Sequence, residues 1–294
     1  MEYFLQQLLN ILALGGTYAL LAIGLAIVFS VLGFINFAHG ELMTITGYAI
    51  FFSLAAGAPF LLALVLGVAA AAAAAAAIEY VAFRPVRNSN PVTMLLTSLA
   101  VGSILHVLFQ NLIAVRPKAI PVPSALAGAI EIGSVTIGTI QLLSVVTTLV
   151  ALAALALFLK HSLLGLSMRA AAQDFNVTRL MGVNANLVIS TAFCISGVLA
   201  GIAGILWVFQ RGSVDPLMGF QPVLKAFIAV ALGGTGSLSG AVAGGVLLGA
   251  IEVLLRAYLP EGMQPYKEAL SLSMVIAVLF FWPQGLIPRK EAIR

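Results

Sequence analysis

Long apolar runs joined by short polar connections make up most of the chain. They fall at roughly 7–32, 42–58, 60–82, 93–115, 140–160, 187–209, 223–236, 240–258 and 269–283. Most reach the roughly 17–25 residues that carry an α-helix across hydrocarbon. Two fit poorly: 42–58 is short and contains glycine, and 223–236 breaks at Gly233-Gly234. Interrupted segments are tolerated at membrane depth only where protein buries them or a wet cavity adjoins them. The pattern predicts an all-α, polytopic transmembrane helical bundle, with eight spans plus one half-helix in a single membrane domain over 1–294. The first run follows Glu2, with no basic n-region and no small-residue cleavage site, so it reads as a retained span.

Composition points the same way. Of 294 residues, 62% are hydrophobic and 8% charged, where soluble domains carry about 25% charge. Too few charges remain for the surface of a soluble enzyme or a nucleic-acid binder. The net charge of +4 is spread over short loops. Arg84 and Arg87, then Lys160, Arg169 and Arg179, then Arg289, Lys290 and Arg294 fall on one side, and Arg116, Lys118, Arg211, Arg256 and Lys267 on the other. The richer side is expected to be cytoplasmic. Lys225 is left inside the bilayer. The single Cys194 excludes an internal disulfide and a cysteine-rich metal site. The segment 116–139, with Pro117, Pro121 and Pro123, is the longest external connection and is expected to cross the outer mouth.

Three stretches carry candidate chemistry. In Gly33–Glu41, Asn36, His39 and Glu41 interrupt two apolar runs without an adequate loop. They either cap a broken helix or face the transport path, because polar groups in lipid need partners or water. The spacing of Asn36 and His39 suits one helical face. A metal site at His39 and Glu41 lacks a third and fourth ligand. In Lys225–Gly240, a lysine heads a short apolar run that ends in Gly233, Gly234 and Gly236, which suits either a tight turn or a substrate-binding loop. Gly240-x-x-x-Gly244, Gly245-x-x-x-Gly249 and Gly197-x-x-x-Gly201 are helix-packing signals, as is the Ala69–Ala77 tract. Glu252 either pairs with Arg256 one turn away or faces water. The breaks at Asn36–Glu41 and Gly233–Gly240, one in each half, suggest an internal pseudo-repeat. In Arg169–Asn184, Ala171, Ala172, Asp174 and Arg179 suit a short amphipathic helix that Gly182 ends. It lies in the cytoplasmic loop 160–186, and suits either partner docking or the membrane surface.

There is no G-x-x-x-x-G-K-[ST], no H-E-x-x-H and no G-x-S-x-G. A membrane-embedded enzyme therefore lacks a catalytic set. A self-sufficient secondary transporter would have only Glu41, Glu79 and Glu252 as intramembrane carboxylates for proton coupling.

Thr17–Leu25 followed by Ile35–Glu41 resembles the N-terminal signature of membrane subunits of branched-chain amino acid ABC importers. Arg84–Ser89, Arg169–Asn184, Lys225–Phe227, Gly233–Ser237 and Pro283–Leu286 are similar to that family in the same order. The order is nearest to the shorter of its two permease types. The resemblance implies a pore of two homologous permeases, two cytoplasmic ATP-binding subunits, an external solute-binding protein, and multi-pass placement in a bacterial inner membrane. It implies no cofactor in this chain, ATP being bound by the partners, and alternating access as the mechanism. It makes Arg169–Asn184 the coupling helix, although Gly182 lies further from the alanines than in the general importer pattern. Asn36, His39, Glu41, Lys225, Gly233 and Gly234 are expected to line or brace the path. Relatives carry leucine, isoleucine and valine, and others carry different amino acids, urea or short amides.

Overall fold

A computed structural model describes residues 2–113, 115–123, 126, 128–132 and 135–287. Arg289, Lys290 and Arg294 of the expected basic tail lie outside these. Among the described residues, nine apolar helices follow the nine sequence runs. Six are long and apolar enough to cross a membrane: α1 (Glu2–Leu32), α3 (Phe60–Ile78), α4 (Pro91–Leu112), α5 (Thr139–His161), α8 (Ala185–Arg211) and α10 (Leu238–Tyr258). Helix α3 continues through a π-turn at Glu79–Phe83 to Val86. Three are shorter: α2 (His39–Ala55), α9 (Phe220–Gly233) and α11 (Lys267–Phe281). Two small helices, α6 (Leu163–Gln173) and α7 (Phe175–Leu180), join α5 to α8.

Helices α1 and α8 form the centre and run antiparallel, since Tyr18 meets Trp207 while Gly24 lies against Ser196. Small residues bring their neighbours close. Gly197 and Gly201 of α8 pack on Ala71 and the Ala69–Ala77 tract of α3, and Gly245 and Gly249 of α10 pack on Ala19 and Gly15 of α1. A β-carbon at any of these glycines would press on the opposite backbone or on its alanines, so the contacts need glycine. The outer helices α3, α4, α5 and α11 present Leu61, Leu99, Leu149 and Ile276 outward. Apolar side chains facing out along whole helices are what lipid contact selects.

The two halves repeat in inverted order. α1 ends at Gly33 with φ +72 and α8 at Gly212 with φ +67, the left-handed backbone that glycine adopts without a side-chain clash. After each break the chain starts a half-helix inside the bundle, α2 or α9. A full helix then returns antiparallel to it, α3 or α10. Helix α3 packs on α8 as α10 packs on α1, and α2 on α8 as α9 on α1. Because α1 and α8 run oppositely, α2 and α9 leave the middle toward opposite faces. The break that matches Asn36–Glu41 is therefore the stretch from Gly212 to Phe220. Gly233–Gly240 is instead the ordinary turn from α9 to α10, corresponding to the α2–α3 turn at Gly57.

The external connection is not helical throughout. β1 (Lys118–Ala119) pairs antiparallel with β4 (Ser213–Val214), and β2 (Ala129–Ile132) with β3 (Val135–Gly138). Outside hydrocarbon such short ladders can complete their hydrogen bonds with water.

Candidate functional site

The half-helices meet head to head in the bundle interior. α2 starts at His39 and α9 at Phe220, and Gly40 lies against Gly219 so closely that a β-carbon on either would overlap the other's carbonyl. Phe37 and Phe227 pack beside this contact, with ring centroids 5.8 Å apart.

Asn36 is not on a helix face. It sits in the turn before α2, where its Oδ1 accepts from the Ala38 N–H at 3.1 Å and its carbonyl from the His39 N–H at 3.2 Å. His39 is fully buried. Its Nδ1 lies 3.0 Å from Ser196 Oγ on α8, and its ring edge fills the notch at Gly24 of α1. His39 thus ties α2 to both central helices. Glu41, one residue beyond Gly40, is buried. Among the described residues no group of three His, Cys, Asp or Glu could hold a metal ion.

Lys225 makes the corresponding tie in the other half. Its Nζ lies 2.7 Å from Glu252 Oε1 on α10, and Tyr18 Oη of α1 donates to Glu252 Oε2 at 2.9 Å. Side-chain exposure is 23% for Lys225 and 8% for Glu252, so the pair is largely withdrawn from solvent. The partner of Glu252 is Lys225, not Arg256, because α9 reaches across the groove between α1 and α10. Tyr18 and Ser196 had no distinguishing pattern in the sequence, since each is a single hydroxyl in an apolar run. Gly233 and Gly234 sit apart from the junction, where Gly233 packs on Gly240 and Gly234 on Gln284 and Ile287. Glu79 is buried in the π-turn and accepts from Ser190 Oγ at 2.8 Å.

The segment between α5 and α8 holds two helices where one was expected. Asp174 is extended, with φ −148 and ψ 108, so it ends α6 and caps α7 by accepting from the Val177 N–H at 3.0 Å. Gly182 turns the chain out of α7 at φ +85, and Asn184 caps α8 through the Asn186 and Leu187 N–H groups. Ala171 is buried against the bundle and Ala172 half-buried, while Arg169, Asp174 and Arg179 are exposed. Leu180 and Met181 are 87% and 80% exposed. Arg87 donates to Asn186 Oδ1, which puts the 83–92 loop on the same side as this segment. A cavity of about 340 Å³ opens there between Arg87, Arg179, Phe175 and Asn184. On the opposite side a cavity of about 450 Å³ is lined by Tyr3, Gln7, Asn10, Gln141, Gln210 and Arg256.

Residues 7–279 match the family described as branched-chain amino acid transport system / permease component. The chain belongs to this family. It is 37% identical to the high-affinity branched-chain amino acid transport system permease protein LivH of Escherichia coli strain K12, covering 98% of this chain and 97% of that one. It is 35% identical to the corresponding protein BraD of Pseudomonas aeruginosa over the same shares. The solved complex of PsaBC from Streptococcus pneumoniae with a Fab matches 95% of the chain at a TM-score of 0.49 and 15% identity, a likeness that adds nothing to the family match. As a member of the permease family the chain is a multi-pass membrane protein, and its relatives are transport components rather than enzymes.

Proposed function

We propose that this chain is one permease subunit of an ATP-driven importer for branched-chain or related amino acids in the inner membrane. A second, homologous permease completes the pore. Two cytoplasmic ATP-binding subunits dock on α6 and α7, and an external binding protein delivers the substrate. This chain supplies no ATP site and no cofactor of its own. The observation that carries the reading is the head-to-head meeting of α2 and α9 inside a chain matched over 98% of its length by a branched-chain amino acid transport permease. Half-helices at a repeat interface are where transporters place substrate.

Docking fits the exposed Leu180–Met181 step. Two large apolar side chains projecting next to Arg179 offer a partner both a knob and a charge at its rim. ATP-dependent closure of the partners pulls α6 and α7, which lead straight into α5 and α8. The bundle then changes which side its interior faces. Asn36, His39 and Lys225 brace the junction through this change. Reconstitution of the chain alone, then with its ATPase subunits, second permease and binding protein, tests the reading. Amino acid uptake is expected only in the complete assembly with ATP, and uptake by the lone chain would overturn it.

A further inference from the structure

Three buried oxygens on α2 have no hydrogen-bond partner among the described residues, and they lie in a row. Glu41, Thr44 and Tyr48 are spaced by three and four residues, which stacks them along one side of the helix. Their residues are 5%, 0% and 3% exposed. Glu41 Oε2, Thr44 Oγ1 and Tyr48 Oη are each enclosed and unpaired. One unpaired buried group is a local misfit. Three on one face of an intramembrane half-helix form a surface, because each carries a desolvation cost that only a polar partner removes.

The position of the row indicates what that partner is. Glu41 stands next to the Gly40–Gly219 junction. At the other end Gly47, the neighbour of Tyr48, packs on Val214 of the second break. The row thus leads from an acid beside the junction past two hydroxyls toward the external side. Lys225 is already engaged by Glu252. The missing partner is a donor of hydrogen bonds with positive charge. An ammonium group has three N–H donors and no acceptor. Helix α4 flanks this side of α2, with the Phe109 ring tilted against Tyr48 at 5.5 Å between centroids, Gly102 beside Ala38, and Ser98 Oγ accepting from the Phe37 N–H. Helix α4 is the least buried of the six long helices, so it is the cover least anchored by packing.

We infer that Glu41, Thr44 and Tyr48 contact the ammonium group of the amino acid in transit, with Glu41 supplying the counter-charge. The inference rests on the transport reading above and assigns one end of the substrate to one face of α2. The complete transporter in proteoliposomes tests it, with labelled leucine uptake and binding-protein-stimulated ATP hydrolysis measured on the same preparation. Glu41→Gln keeps the shape and removes the charge, and is expected to lower uptake about tenfold or more while ATP hydrolysis persists. Glu41→Asp shortens the side chain but keeps the charge, and is expected to retain more uptake than Gln. A packing role predicts the reverse order, so Gln equal to or better than Asp overturns the inference. If Glu41→Gln fails to assemble, Tyr48→Phe decides. Uptake lowered about fivefold with hydrolysis intact supports the contact, and unchanged uptake refutes it. An unmodified assembly that moves no amino acid would sink the transport reading itself, and the inference with it.

Discussion

Lys225 and Glu252 show how single residues set the inner geometry. Each charge alone would be costly at this depth, and together with Tyr18 they bind three helices. Removing one partner leaves the other uncompensated. Lys225→Met or Glu252→Gln is therefore expected to cost about 3 kcal/mol of stability. The double variant should lose less than the sum, measured by thermal unfolding of the purified assembly in detergent, and strictly additive losses would refute the pairing. The sequence made Lys225 conspicuous, because a lysine in an apolar run has few explanations. It did not reveal the partner. Arg256 is one turn from Glu252 along α10, whereas Lys225 reaches it only because α9 folds back into the groove beside α1. Short-range spacing is legible in a sequence, but a partner brought across by a break in another helix is not.

Among the elements, the breaks and the glycine seams carry the architecture. The run boundaries marked all nine apolar helices, and the small-xxx-small patterns marked the seams that the fold uses. Gly197→Val should force α3 away from α8 and cost about 1–3 kcal/mol, read as reduced yield and a lower unfolding temperature. Stability equal to the parent would show that the seam has slack. The second half-helix was harder to read. Gly233-Gly234 looked like the break because glycines cluster there, yet the break lies upstream, where Gly212, Asp215, Pro216 and Gly219 replace the apolar pattern without a long loop. The docking segment was half legible. Its alanines and Gly182 predicted a helix and its end, but Asp174, placed inside that one amphipathic helix, is the cap that divides it. Asp174→Ala should cost about 1 kcal/mol locally at α7 and weaken ATP-coupled uptake with substrate delivery unchanged. Coupling equal to the parent would remove α7 from force transfer.

For the molecule as a whole, the inverted order of its halves fixes what each surface meets. Leu180 and Met263 lie on opposite sides of the bundle. In a Cys194→Ser background, Leu180→Cys is expected to react with an impermeant thiol reagent only from the cytoplasmic side, and Met263→Cys only from the other. Reaction of both from one side would overturn the topology. The inversion was not readable from residues, since the halves share little beyond a left-handed glycine and a short helix after it. The Gly40–Gly219 contact carries this symmetry to a mechanical end. Two backbones touch there with no side chain between them, so no rotamer can swing aside to absorb a displacement. A push arriving along α9 from the inner face reaches α2 undamped, like thrust through a rigid coupling with no play.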